Sequence, residues 1–469
     1  MWGSLMPTLF IATQLIRTSL ALPTPYHGDV QSTRSETYDI RAASNPDLTA
    51  TLVTPGEIIL TDKNTLKSTT STNTTILKNT QNSSSLSLAL INNLEGKVNA
   101  YVTGLTPTGQ LVMLQPDGTF FYPTCSSGQT TPLLITTNTA IPLGAKGSTT
   151  NINIPGYISA GRVWFAADDI LKFYIVWNVG TNSPTLVLPS AANPSDASAG
   201  VDWGFVELTY MKDGLFANIS YVDFVGLVLG IRLEESGQAG ANGVQVAQGL
   251  KSNSLKSICD ALGKQTGADG FEWGKLCLTD SKGTVLRVLS PSQYISSHET
   301  AFAKLWTGYV DKVWKQYQSQ VLTIDTQSGA GKISCQVSES DNLFHCDGSS
   351  STYARPSTTD IFGCNDGPFV VSASANDIHK AVVPRLCAAF HRSTFLSNGG
   401  NVQPSLPATS YYGEAATNWY SKTVHQFEGD GRGYAFAYDD VNPSGGEDAS
   451  GSVTSGNPGV LRVFVGGMV

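Results

Sequence analysis

Hydrophobic residues in the first half of the chain fall in short runs that Gly, Pro, Asn and Asp interrupt. Runs such as "LSLALINN", "VNAYVTGLT" and "GRVWFAADDILKFYIVW" are rich in residues that favour strands. The triplet "PDG" at 116–118 is a hairpin signal. From about residue 84 to residue 236 this pattern predicts an all-β barrel or sandwich domain.

The hydrophobic period changes after residue 237, and residues 237–425 are predicted to form a mixed α/β domain. Apolar residues at helical spacing predict four helices, at 243–263, 297–318, 376–392 and 410–425. Ser296 and Glu299 fit a capping box before the second helix. Its aromatic stripe is typical of a core-facing helix.

Strand-like runs lie between and after these helices, including "LTID", "KISCQV" and "VLRVFVGG". The last of them predicts that residues 426–469 supply C-terminal strands that return to the β domain. The sequence as a whole therefore predicts a mainly β fold with an added α/β part.

The N-terminus is typical of a secreted protein. Residues 1–21 fit a signal peptide, with an apolar stretch and a small-x-small cleavage site that ends at Ala21. Residues 22–83 are rich in Ser, Thr and Asn and predict a pro-segment or linker. No later stretch is long and apolar enough for a membrane helix, so we expect an extracellular protein without membrane insertion.

Seven cysteines in an oxidising compartment favour disulfides. The simplest pairing leaves Cys125 free, although spacing alone leaves the connectivity open. The predicted pairs join neighbours along the chain: Cys259–Cys277, Cys335–Cys346 and Cys364–Cys387. Sequons for N-glycosylation occur at Asn73, Asn82 and Asn218.

Composition and charge restrict the classes of molecule that the protein is expected to bind. Charged residues make up 14% of the chain and the formal net charge is -8, which disfavours nucleic acid and anionic membranes. A neutral polar partner such as a carbohydrate fits better. The six histidines form no HExxH motif, and no nucleotide-binding loop or G-x-S-x-G elbow occurs. We therefore expect neither a metal nor a cofactor.

Two carboxylates stand in otherwise apolar strand-like runs, Glu207 in "FVELTY" and Asp223 in "YVDFVG". Hydrolysis of a glycosidic bond needs two carboxyl groups, one protonated and one ionised. The alternative is that both point to solvent from half-exposed strands. A two-residue turn at 213–214 would place Glu207 opposite Ser220 and leave Asp223 on the other face. The two acids are therefore either unpaired or joined by an irregular connection.

Four separated blocks carry a resemblance to a known family: "GRVWFAADDILKFYIVW", "DWGFVELTYMKDGLFANISYVDFVGLVLGIRLE", "STTDIFGCNDGPF" and the stretch from "QPSLPATSYYGEAATNWY" to "FAYDDVNPSGGEDASG". Together they resemble the glycoside hydrolase family 64 β-1,3-glucanases. Parts also resemble thaumatin-like proteins. The resemblance implies a thaumatin-like β-barrel or sandwich domain and a mixed α/β domain that flank a wide groove.

The resemblance also implies an activity and the residues that carry it. It implies inverting hydrolysis of β-1,3-glucan, with Glu207 as the acid and Asp223 as the base. We expect the protein to be a monomer. Thr209 would contact sugar, and Phe216 would supply an aromatic platform. The alternative function is a non-catalytic β-glucan-binding or defence protein of the thaumatin-like type. A third, weaker possibility is a cell-wall structural protein anchored through its N-terminal segment.

Overall fold

The computed structural model describes residues 84–237, 243–446 and 448–468. The predicted signal peptide, the Ser/Thr/Asn-rich segment and the sequons Asn73 and Asn82 lie outside the described residues. Within the described ranges, no helix is both long and apolar enough to cross a membrane.

Short strands dominate the described part of the chain. In chain order they are β1 (Leu86–Asn92), β2 (Val98–Leu105), β3 (Leu111–Leu114), β4 (Phe120–Phe121), β5 (Leu133–Leu134), β6 (Ile141–Pro142), β7 (Thr149–Ile154), β8 (Ile158–Ala167), β9 (Tyr174–Asn178), β10 (Ser183–Val187), β11 (Asp202–Met211), β12 (Gly214–Ile219), β13 (Phe224–Val225), β14 (Leu229–Glu235), β15 (Val244–Ala247), β16 (Cys277–Thr279), β17 (Val285–Leu289), β18 (Leu322–Asp325), β19 (Lys332–Val337), β20 (Phe344–Cys346), β21 (Val402–Gln403), β22 (Val453–Ser455) and β23 (Pro458–Val465).

Within the described residues, all α-helices lie after residue 253. They are α1 (Ser254–Asp269), α2 (Pro291–Ile295), α3 (Thr307–Ser319), α4 (Thr358–Gly363), α5 (Asp377–His391) and α6 (Trp419–Phe427). Short 3-10 turns occur at Trp273–Leu276, Gly367–Phe369 and Ala408–Ser410.

Two large sheets form the β part. One has the strand order β15-β14-β23-β1-β7 and the other the order β22-β12-β11-β8-β2-β3-β4. Both sheets stay open, so the arrangement is a sandwich and not a closed barrel. Strand β23 lies between β14 and β1, parallel to β1, and so brings the C-terminus back into the first sheet. The mainly β fold with added helices agrees with the prediction.

The predicted helices agree with the structure to different degrees. Helix α5 confirms the prediction at 376–392, and Asn376 caps its first turn. The prediction at 243–263 is wrong over its first half, because residues 244–247 pair with β14 as a strand. The prediction at 410–425 overlaps α6, which begins only at Trp419.

The helix predicted at 297–318 begins ten residues late, at Thr307. Phe302 adopts a positive φ of 60°, a backbone conformation that a continuous right-handed helix does not contain. Ser296 follows the last residue of α2 and does not form the predicted capping box. The short helix α2, which was not predicted, begins after the N-cap Ser290.

All three predicted disulfides are confirmed, and Cys125 is free. Two of them tie helices to their surroundings: Cys259–Cys277 joins α1 to β16, and Cys364–Cys387 joins the end of α4 to α5. Each therefore closes a local loop within the helical part.

A small sheet of order β13-β17-β16 connects the β sandwich to the helical part. Phe224 pairs with Leu289 and Val225 with Val288, so the strand that follows Asp223 is completed by residues more than sixty positions later. This pairing brings the beginning of α2 beside Asp223.

Candidate active site

Glu207 is positioned by the β11–β12 hairpin. Met211 pairs with Gly214, so the two-residue turn is Lys212–Asp213 and the predicted turn at 213–214 is wrong by one residue. Gly214 has a φ of 137°, and a Cβ there would lie 2.3 Å from the carbonyl oxygen of Ser455. Only glycine fits that position. As a result Glu207 lies opposite Asn218 and not opposite Ser220.

Arg162 lies opposite Glu207 on the other side, on strand β8. Its Nε and Nη2 both donate to Oε1 of Glu207, at 3.1 and 2.9 Å. The guanidinium also lies 4.3 Å from the ring centre of Phe205 and 5.4 Å from that of Trp164. Such aromatic contacts hold a cation in a fixed position as they stabilise it.

Asp223 reaches the same place by an irregular path. The β11–β12 pairing is regular to Ile219, and the chain leaves the ladder at Ser220, which bridges to Tyr434. Three residues later the Ser290 amide donates to the Asp223 carbonyl oxygen at 2.9 Å. The irregularity that brings both carboxylates near the same Arg162 guanidinium therefore follows the hairpin and is not inside it.

Gln293 and Arg162 lie beside the Asp223 carboxylate, which is close to Glu207. Gln293 Nε2 donates to Oδ1 at 3.0 Å. Nη2 of Arg162 lies 4.0 Å from Oδ2. Since the same nitrogen contacts Glu207 at 2.9 Å, the nearest carboxylate oxygens of the two acids are less than about 7 Å apart.

The two acids differ in their electrostatic surroundings. Burial raises the pKa of Glu207 above its ordinary value; the Arg162 charge acts against this shift, and the nearby Asp223 adds to it. Glu207 and Asp223 keep 19% and 18% of their side-chain surfaces exposed. A carboxyl with a raised pKa that solvent can still reach is suited to donate a proton.

A recess of about 20 Å³ lies beside Asp223. Its polar lining comes from Arg162, Asp223 and Gln293, and the rest of its wall is apolar and largely aromatic, with Trp164, Leu188, Trp203, Phe205 and Phe224. A volume of at least 10–15 Å³ with two to four polar partners is roughly what one water molecule needs.

The two predicted sugar contacts lie on the same sheet face as Glu207. Thr209 is two residues along β11 and pairs directly with Phe216 on β12. Thr209 is partly exposed, whereas Phe216 is 5% exposed. Little of the Phe216 ring is available to a ligand, and its role as a platform stays a prediction.

Sequence reasoning missed two residues of this site. Arg162 has a local signal, since it interrupts an apolar strand at the position of "GRVW". Gln293 has none, because it is 70 residues from Asp223 and lies on a helix that was not predicted.

Of the other acids, Asp439 is fully buried between His425 and Arg392, and Asp360 closes a capping box with Ser357. Both have structural partners.

One side-chain group in the described part of the chain has the spacing of a metal site: Cys364, Cys387 and His391. The two sulfurs form a disulfide, so they offer no thiolate. Nε2 of His391 donates to the carbonyl oxygen of Ile361 at 2.8 Å. These groups do not fit a metal ion.

Two carboxyl groups less than about 7 Å apart on a β sandwich, one of them beside a recess, fit the pair that glycoside hydrolases use. The chain belongs to glycoside hydrolase family 64, the β-1,3-glucanases, whose profile matches residues 84–465. The glucan endo-1,3-beta-glucosidases of Cellulosimicrobium cellulans and of Arthrobacter sp. (strain YCWD3) are 27% and 26% identical over 287 residues. These matches cover 60% of this chain and 48% of each relative. The chain thus spans about half the length of the curated relatives it matches.

Solved structures show the same fold. A laminaripentaose-producing β-1,3-glucanase in complex with laminaritetraose superposes with a TM-score of 0.70 at 25% identity, over 81% of this chain and 98% of that chain. A family 64 β-1,3-glucanase domain from Clostridium beijerinckii superposes with a TM-score of 0.63 at 21% identity, over 81% of this chain and 98% of that chain.

Proposed function

We propose that this protein hydrolyses β-1,3-glucosidic bonds in β-1,3-glucan. The observation that carries the proposal is the pair Glu207 and Asp223, which contact or approach the same Arg162 guanidinium. Membership of the β-1,3-glucanase family supports the choice of substrate. The solved relative of the same fold in complex with laminaritetraose supports a β-1,3-glucan chain as the ligand.

The surroundings of the two acids support different roles. Burial keeps Glu207 inclined toward the protonated form, so we assign it protonation of the leaving glycosidic oxygen. Asp223 borders the recess, where a water molecule would also face Arg162 and Gln293. We assign Asp223 the removal of a proton from that water as it attacks the anomeric carbon.

We further propose that the reaction inverts the anomeric configuration. Inverting enzymes place their carboxyl groups roughly 6.5–9.5 Å apart, and retaining enzymes about 5–5.5 Å apart. The upper bound of about 7 Å between the nearest oxygens is compatible with both ranges, so the choice of inversion rests on the family resemblance. Thr209, two residues from Glu207 on the same strand, is the proposed sugar contact. The proposed enzyme acts outside the cell, as the N-terminal sequence predicts, and as a monomer.

The test uses a defined linear β-1,3-glucan and the wild-type protein. Reducing-end release is measured beside a pull-down on the insoluble polymer, and early products are examined by proton NMR. Hydrolysis with α-configured new reducing ends is the expected result. Binding without release would support the non-catalytic glucan-binding alternative. New reducing ends in the β configuration would refute inversion but leave hydrolysis standing.

A further inference from the structure

The Asp223 carboxylate is held between a neutral donor and a cation. Gln293 Nε2 donates to Oδ1 at 3.0 Å, and Arg162 Nη2 lies 4.0 Å from Oδ2, beyond hydrogen-bond distance. Arg162 is already committed to Glu207 through two shorter contacts. The two carboxylate oxygens of Asp223 thus face different groups, Oδ1 the Gln293 amide and Oδ2 the Arg162 guanidinium.

Gln293 is itself fixed by the element that carries it. It is the third residue of α2, and its backbone amide donates to the side-chain oxygen of the N-cap Ser290 at 3.3 Å. The Ser290 amide in turn donates to the Asp223 carbonyl oxygen at 2.9 Å. One capping residue therefore sets the backbone of both Asp223 and Gln293.

The helix is anchored on its other side as well. Pro291, Tyr294 and Ile295 are buried, and the Tyr294 hydroxyl donates to Glu272 Oε2 at 2.7 Å. Gln293 remains partly exposed at the recess. A side chain held on a rigid element, with its amide turned toward a reactive carboxylate, has the geometry of a positioning group.

We propose that Gln293 is a positioning residue of the reaction: its amide holds Oδ1 of Asp223 so that the carboxylate stays turned toward the recess and does not close onto Arg162. This inference rests on the proposed hydrolysis. Gln293 contacts Asp223 and acts through it. It transfers no proton, and its loss changes the fraction of molecules in which the base is correctly oriented.

The main variant is Gln293→Met, which keeps the side-chain length and removes the donor. We expect kcat on linear β-1,3-glucan to fall about 10- to 100-fold, with KM within about threefold of wild type, because misplacing a catalytic group by about 1 Å costs on this order. Gln293→Asn retains an amide on a shorter side chain, and its kcat is expected to lie between those of wild type and Gln293→Met. Gln336→Met is the matched control, since Gln336 Nε2 donates to a carbonyl oxygen, that of Gln318, on the exposed side of β19.

A second variant, Gln293→Glu, gives a readout that a merely structural role would not produce. When ionised, the introduced carboxylate can only accept hydrogen bonds and cannot donate to Asp223. When protonated, it has an O–H group that can donate in place of the Gln293 amide. Its loss of kcat should be about 100-fold near pH 7 and should shrink to within about tenfold near pH 4, close to the ordinary pKa of Glu. The ratio to wild type at each pH is the quantity compared.

The outcomes separate this proposal from the proposed function. If wild type releases sugar and Gln293→Met keeps kcat within twofold, the positioning role is refuted while hydrolysis stands. A loss confined to KM, or a Gln293→Glu profile parallel to wild type, also refutes it. An inert wild type overturns both proposals. A kcat loss in folded Gln293→Met, with Gln336→Met unchanged and acid recovery in Gln293→Glu, establishes the role.

Discussion

Arg162 donates two hydrogen bonds to a single oxygen of Glu207, at 3.1 and 2.9 Å, from the neighbouring strand of the same sheet. Asp223, which lines the recess, approaches the same guanidinium. A cation that contacts one acid and approaches the other lets two carboxyl groups lie close together at a moderate electrostatic cost. Arg162 is thus central to the electrostatics of the site.

Replacement of Arg162 by Met should move the pH dependence of hydrolysis in a defined direction. The Arg162 charge lowers the pKa of Glu207 against the effect of burial, so its removal raises that pKa further. The proposed acid then stays protonated to higher pH, and the alkaline limb of the kcat/KM profile shifts to higher pH. We also expect kcat to fall by about 10- to 100-fold, because both carboxyl groups lose a partner. Arg162→Lys, which keeps the charge, is the control, and an unmoved alkaline limb in Arg162→Met would contradict the interpretation.

His425 gives a stability prediction with a sign opposite to that of a paired acid. Its Nδ1 and Nε2 each lie 2.9 Å from a carboxylate oxygen, of Glu428 and of Asp439, and both carboxylates are fully buried. Burial lowers the pKa of His425, but Asp439 and Glu428 outweigh it and raise that pKa to about 10. The nearby Arg392 contacts the other oxygen of Asp439.

Because the folded-state pKa of His425 exceeds its unfolded value, its stabilisation is complete below about pH 6.5 and is lost as pH rises through about 10. His425→Gln should lower the free energy of unfolding by about 3 kcal/mol at pH 6, since it leaves two buried carboxylates without their shared cation. The difference from wild type should shrink toward pH 10. Urea unfolding at several pH values measures it, and a difference that grows with pH would be contrary to the assignment.

Asn218 should carry no glycan in the folded protein. Its side chain is fully buried on the strand that pairs with Glu207, so the sequon cannot hold a solvated sugar chain there. Peptide mapping of protein from a glycosylating host should show Asn218 unmodified; a glycan on it in active protein would be incompatible with this strand arrangement.

The sequence predicted those parts of the molecule that local chemistry determines. Strand β19, helix α5 and the pairing Cys335–Cys346 all follow from short-range patterns that the fold does not override. The limits of α3 did not follow, because the hydrophobic spacing does not reveal the positive φ of Phe302, whose ring packs against Trp273 and Phe362.

The site was half predictable for the same reason. Glu207 and Asp223 could be named from their apolar surroundings and the family resemblance. Their proximity to each other in the fold could not be predicted. That proximity depends on a chain path after Ser220 and on the pairing of β13 with β17. Gln293 could not be found, since its contact with Asp223 exists only after that pairing forms.

The most direct test of the central claim is the rate of laminarin hydrolysis by Glu207→Gln and Asp223→Asn, each beside wild type and each shown to be folded. Both replacements keep the shape of the side chain and remove its ability to ionise. Losing one such acid or base group costs on the order of 10²- to 10⁴-fold in catalysis. We predict losses of at least about 10²-fold in kcat in both variants with near-wild-type thermal stability. A folded variant of either residue that keeps more than about a tenth of the wild-type rate would contradict the account.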